Sequence, residues 1–216
     1  MLRLGILASG RGSNFQSIID AIETERLNAL ATVLIVDSPN AFARERARKH
    51  GIKDLYLNPR ESPSKDAYFE RIRDELIARQ VDLVILAGFL RIVRGPLIAA
   101  FPNRIMNIHP ALLPSFVGLH GQKQAVDYGV RVSGCTVHFI DEGMDTGPVI
   151  IQAVVPVSPD DTEESLSSRI LVEEHRIYPE AIRLYAEGRL SVEGRVVKIS
   201  GYDLPKTALT NPHPGC

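Results

Sequence analysis

The chain has 216 residues, 44% of them hydrophobic and 24% charged, with 25 Lys and Arg against 26 Asp and Glu for a formal net charge of −1. A chain of this length and mixture can bury a globular core without disulfides or metal, and its near-neutral balance leaves no electrostatic footprint for non-specific nucleic-acid binding. The longest apolar run, Leu83 to Leu90 between Asp82 and Arg91, is far too short to span a bilayer.

The first half alternates short apolar runs with helix-period segments. Leu2 to Ala8 reads as a buried strand, and Phe15, Ile18, Ile19 and Ile22 then share one helical face. Ala31 to Val36 is a second strand, Ala41 to His50 a charged helix ended by Gly51, and Lys53 to Leu57 a short third strand. Lys65 to Arg79 carries Tyr68, Ile72, Leu76 and Ile77 at helical spacing; strands at Val81 to Gly88 and Arg104 to Ile108 follow, separated by a segment with Pro96 and Pro102. Strands that are apolar throughout and separated by helices predict a doubly wound α/β fold with a mostly parallel sheet.

Beyond residue 110 the pattern changes. Cys135, Val137 and Phe139 alternate with Thr136 and His138, and Val149 to Val157 is another strand. The connection from Asp141 to Pro148 suits an antiparallel pair. Asp160, Asp161 and Thr162 offer N-cap chemistry for a long helix with Leu166, Ile170, Ile177, Ala181 and Leu184 on its apolar side. Pro179 should kink that helix, and Gly188 fits the position past its end. Gly201 to Cys216 reads as a loosely ordered tail. Cys135 and Cys216 make no CxxC, and no HExxH or His/Cys cluster is present, so no metal is expected. Met1 leads straight into a strand pattern with no signal-like segment, which predicts a cytoplasmic protein without membrane contact.

Two places carry chemistry. Ser9-Gly10-Arg11-Gly12-Ser13-Asn14 joins the first strand to the first helix, where free backbone N–H groups and the helix dipole suit a phosphate. The same segment would serve as a plain turn with Ser13 or Asn14 capping the helix. It also resembles the start of a dinucleotide fingerprint, with Asp37 ending the second strand, but Phe15 stands at the third glycine position. The second place is Asn107-Ile108-His109-Pro110. Residues i and i+2 of a strand project together, and Pro110 puts both at the carboxyl end, where ligands of open α/β sheets collect. An amide donor beside an imidazole suits a developing oxyanion. Asp145, flanked by Gly143 and Gly147, would stabilise an imidazolium if brought near His109; alternatively, all three residues satisfy turns.

Several separated blocks follow one another along the chain: Ser9 to Asn14, Leu86-Ala87-Gly88-Phe89-Leu90-Arg91-Ile92, Asn107 to Pro114, Gly118-Leu119-His120, Val137-His138-Phe139, Asp145 to Ile150 and Glu174 to Pro179. In this order they resemble the phosphoribosylglycinamide formyltransferases of the folate-dependent formyltransferase superfamily. The resemblance implies a formyltransferase fold: a Rossmann-like phosphate-binding half over 1–110, and a folate-site half with antiparallel additions over 111–200, in one domain followed by the 201–216 tail. It implies 10-formyltetrahydrofolate as cosubstrate, phosphoribosylglycinamide as acceptor, small molecules as the only ligands, and a monomer or homodimer. By position, Asn107, His109 and Asp145 would be catalytic. Gly12, Ser13 and Asn14 would hold the phosphate, and Glu174 the ribose. Leu90, Arg91, Ile92 and Val93 would line the pterin pocket, with Asn107, Asp141 and Asp145 closing on the ring and Lys65 near the folate tail. The alternatives are a formyltetrahydrofolate hydrolase using the same three residues, and a non-catalytic dinucleotide-binding module built on Gly10, Gly12 and Asp37.

Overall fold

The computed structural model describes residues 1–203 and 209–211. In chain order the elements are β1 (Leu2–Ala8), α1 (Ser13–Glu23), β2 (Ala29–Val36), α2 (Ala43–Lys49), β3 (Lys53–Tyr56), α3 (Lys65–Ala78), β4 (Leu83–Leu86) and α4 (Gly95–Ala100). They continue with β5 (Ile105–His109), α5 (Gly121–Tyr128), β6 (Val132–Phe139), β7 (Val149–Pro156), α6 (Glu163–Ala186), β8 (Leu190–Glu193) and β9 (Val196–Ile199). Among the described residues one sheet holds all nine strands, in the order β3-β2-β1-β4-β5-β6-β7-β9-β8. The first five are parallel, and β6 pairs antiparallel with both β5 and β7. The predicted doubly wound sheet with antiparallel additions is therefore the observed one.

Strands buried on both faces need helices on both sides. Leu4, Ile6 and Ala8 pack in one core with Phe15 and Ile18 of α1 and Ile177 and Ala181 of α6. Leu7, Val84 and Leu86 face the other core, with Tyr68, Ile72 and Leu76 of α3 and Leu97 of α4. Tyr178 of α6, fully buried, directs its hydroxyl at the carbonyls of Leu86 (3.1 Å) and Met106 (2.9 Å), bridging β4 and β5 just below their carboxyl ends.

Some local expectations are corrected. The turn before α1 is capped by Gly12, with φ 67°, rather than by a Ser13 or Asn14 side chain. The helix that contains Pro179 runs for 24 residues, and the expected N-cap chemistry is supplied by Thr162, in a capping box with Ser165. The short helix α4 and the β8–β9 hairpin were not anticipated: six residues are too few to show a helical period, and β8 and β9 are four-residue, half-exposed strands at one end of the sheet. The expected loose tail and the terminal Cys216 fall largely on residues 204–208 and 212–216, outside the described residues. Within the tail, Asn211 donates to the Val157 carbonyl at 3.1 Å.

Candidate active site

Strand order reverses between β1 and β4: the chain runs outward from β1 to β2 and β3, then returns to β4 and β5 on the other side. Loops leaving neighbouring strands there diverge and open a crevice at the carboxyl ends. The Ser9–Gly12 turn follows β1, the 88–93 segment follows β4, and β5 ends on Asn107 and His109.

In β5, Met106 and Ile108 face the α1–α6 core, so Asn107 and His109 point to the opposite face. The antiparallel register sets His138 opposite Asn107 and Thr136 opposite His109. Asp145 comes from the β6–β7 connection, in a left-handed conformation with φ 54°. The next turn requires Gly147, because a side chain there would run into the Phe139 carbonyl. Sheet pairing and this loop thus bring four side chains together from three segments.

His109 is 4% exposed. Its Nε2–H donates to the Phe116 carbonyl at 2.9 Å, and its Nδ1 lies 3.4 Å from Asp145 Oδ2. Acceptors therefore face both ring nitrogens, and only an imidazolium donates to both. Asp145 Oδ2 also accepts the Gly118 N–H at 2.9 Å, tying the 114–120 loop to the carboxylate. His138, fully buried, donates from Nδ1 to the Phe139 carbonyl (2.8 Å) and accepts the Asn107 amide at Nε2 (3.2 Å). Burial holds its pKa below the ordinary histidine value, so His138 is a neutral acceptor that orients Asn107. One Asn107 N–H is thereby used and the other remains for a ligand. Thr136 donates to the Ala111 carbonyl at 2.7 Å and accepts the Leu113 N–H at 3.1 Å, steadying the chain beyond β5.

On the β1 side, Gly12 has no room for a side chain, since a Cβ would lie 2.7 Å from that of Ala43. No side chain caps α1, so its first N–H groups stay free for an anion. Asn14 turns its amide away to Glu174 Oε2 at 2.7 Å, and both residues are buried. Burial raises the Glu174 pKa, against the lowering by the Asn14 hydrogen bond. Glu174 follows Ile170 by four residues and precedes Ile177 by three, so helical periodicity alone marks it as a carboxylate on an apolar face. Beside Ser13, a groove of about 370 Å³ opens between α1, Arg46 and His175.

The remaining candidates are placed more loosely. Leu90 and Ile92 are exposed while Phe89 and Val93 are buried. Val117, Leu119 and Met144 are further exposed apolar side chains, on the two loops joined by the Gly118–Asp145 hydrogen bond. Asp141 spends one carboxylate oxygen inside its own loop, on the Gly143 N–H (3.0 Å) and the Thr146 hydroxyl (2.6 Å). Lys65 is exposed in the first turn of α3. Asp37 accepts Arg91 Nε at 2.6 Å, which occupies the carboxylate that a dinucleotide ribose would need. His138 is the functional neighbour that the sequence left unassigned; its alternation with Cys135, Val137 and Phe139 gave its face, but its partner depends on register. Among the described residues, no three His, Cys, Asp or Glu side chains are grouped as metal ligands, and no helix is long and apolar enough to cross a membrane.

Residues 2–182 match the family described as formyl transferase. The chain belongs to that family. As a formyl transferase it is 38% identical to a phosphoribosylglycinamide formyltransferase of Escherichia coli K12, over 94% of this chain and 96% of the relative. It is 42% identical to a trifunctional purine biosynthetic protein adenosine-3 of Drosophila pseudoobscura, over 94% of this chain but only 15% of that protein's length. Among solved structures, a glycinamide ribonucleotide transformylase 1 from Symbiobacterium toebii superposes with a TM-score of 0.91 at 54% identity, over 92% of this chain and 94% of that one.

Proposed function

We propose that this protein transfers the formyl group of 10-formyltetrahydrofolate to the glycine amine of phosphoribosylglycinamide, a step of purine biosynthesis, by direct attack of the amine. The observation that carries the reading is the convergence of Asn107, His109 and Asp145 at the strand ends, 3.4 Å separating the ring of His109 from the carboxylate, in a formyl transferase whose full-length bacterial relative bears that name. When the amine attacks the formyl carbon, the carbonyl oxygen gains negative charge. The free N–H of Asn107 and an imidazolium at His109 stabilise it, and Asp145 compensates the imidazolium. The amine must also lose a proton, which Asp145 or a water accepts and passes to the departing folate nitrogen, or which His109 takes up after giving its own proton to that nitrogen.

In this reading the N–H groups of Gly12, Ser13 and Asn14 hold the phosphate. Glu174 accepts from the ribose hydroxyls, and the ready partner of its carboxylate is Asn14. The backbone of Leu90, Arg91, Ile92 and Val93 reads the pterin edge, the Asp141–Asp145 loop covers it, and Lys65 lies toward the folate tail. No metal is needed, because fixed donors supply the electrophilic role. Turnover is expected to survive exhaustive chelation, and a loss restored by zinc would overturn that.

The test is absorbance-monitored turnover of 10-formyltetrahydrofolate with and without phosphoribosylglycinamide. Strictly acceptor-dependent turnover is expected. Formate release without acceptor would make the protein a hydrolase, and no turnover from folded protein would leave a binding scaffold.

A further inference from the structure

The segment after β4 has no regular structure between Gly88 and Arg94, yet it presents Leu90 and Ile92 outward at 72% and 55% exposure. Three tethers hold it. The Ser9 N–H donates to the Gly88 carbonyl at 3.0 Å, the Leu90 N–H donates to Ser9 Oγ at 3.0 Å, and Arg91 Nε donates to Asp37 Oδ2 at 2.6 Å. The Arg91 guanidinium also lies 5.8 Å from the centre of the Tyr68 ring on α3. The two ends of the ion pair differ in burial. The Asp37 side chain is 7% exposed at the end of β2, while Arg91 is 43% exposed on the irregular segment. Asp37 Oδ1 is buried without a partner among the described residues, so Arg91 is what compensates this carboxylate.

We propose that Asp37 and Ser9 are positioning residues for the formyl donor: through Arg91 and the Leu90 N–H they hold the 88–93 segment in the conformation whose backbone receives the heteroaromatic ring. The inference rests on the reading of residues 90–93 as the donor-binding edge. It assigns Arg91 as a strut whose charge is used inward, rather than as a ligand of the donor's carboxylates. Asp37, which in sequence suggested a ribose ligand, acquires a different task at the same strand end. An irregular segment held by side chains loses order when one tether goes, and the donor must then supply the ordering free energy on binding.

The test compares the full-length parent with Asp37→Ala, Arg91→Ala and the double variant, in steady-state kinetics with each substrate varied in turn. Amide hydrogen exchange of the ligand-free proteins is measured alongside. Each variant is expected to raise KM for 10-formyltetrahydrofolate about tenfold, the lower range for losing a hydrogen bond to a charged group, with kcat and acceptor KM within about twofold. The double variant should be no worse than the worse single one, because both remove the same tether. Exchange across residues 88–93 should quicken in all three. An unchanged donor KM in Asp37→Ala beside a raised one in Arg91→Ala would overturn the proposal, since Arg91 would then touch the donor itself. Unchanged exchange in 88–93 would also overturn it. Ser9→Ala removes only the acceptor of the Leu90 N–H; if the ion-pair variants fail to fold, it must move donor KM and exchange in the same direction, or the proposal falls. Absence of acceptor-dependent turnover in the parent would refute the proposed reaction and leave the exchange result to decide on the tethers.

Discussion

Asp145→Asn isolates the charge of the proposed site. An Asn at this position keeps the size of the side chain and an oxygen able to accept the Gly118 N–H now 2.9 Å away, so the 114–120 loop retains its anchor. What disappears is a negative charge 3.4 Å from His109 Nδ1, in a carboxylate only 14% exposed. At an effective dielectric of about 20, opposite unit charges at that separation attract by about 5 kcal/mol. An Asn dipole and local relaxation recover part of this. If roughly half survives as differential stabilisation of the transition state, turnover falls on the order of 10²-fold, and up to 10³-fold if more does. The assay is acceptor-dependent turnover at saturating substrates, with thermal unfolding and near-ultraviolet circular dichroism confirming a native fold. A folded Asp145→Asn protein with kcat within about threefold of the parent would refute the reasoning, since a carboxylate of that electrostatic weight cannot be removed so cheaply from a charge-separated transition state.

Other substitutions probe the scaffold around it. Burial raises the pKa of Glu174 in the folded protein above its ordinary 4.5, so its ionisation weakens the fold: stability is fully present below pH 4.5 and falls as pH rises through the folded value. Glu174→Gln should therefore raise Tm at neutral pH but not at pH 4, while raising acceptor KM; equal Tm shifts at both pH values would contradict this. Tyr178→Phe removes the hydroxyl that reaches the Leu86 and Met106 carbonyls and should cost about 1–3 kcal/mol in urea unfolding; a loss below a few tenths would mean that the bridge is idle. Gly12→Ala meets both a φ of 67° and the Ala43 side chain, so it should lose at least about 1–2 kcal/mol and raise acceptor KM. An acceptor KM equal to the parent's would remove Gly12 from the phosphate site.

Much of the first half was legible because its strands are apolar on both faces and its helices carry a clear period. The pairing of Asn107 with His109 followed from the two-residue repeat of a strand, and the stop at Pro110 placed them at the ligand-binding end. Glu174 could have been recognised as buried from its spacing to Ile170 and Ile177. The β8–β9 hairpin escaped notice because a partly exposed edge has little hydrophobic contrast. His138 escaped assignment for another reason. Its face was readable, but its partner was not.

The α/β class, the strand-end location of Asn107 and His109, the glycine turn before α1 and, through ordered motifs, the formyl transferase family are all legible along the chain. These are local properties: periodicity, turn chemistry and residue type act over a few neighbouring positions. The tertiary structure decided which distant groups meet. Sheet register set His138 against Asn107, the β6–β7 loop brought Asp145 to His109, α6 carried Glu174 to Asn14, and strand order brought Asp37 within reach of Arg91. Each of these contacts joins residues 31 to 160 positions apart. It exists because core packing and the sheet's register fix separate segments together, and no local spacing rule encodes that choice.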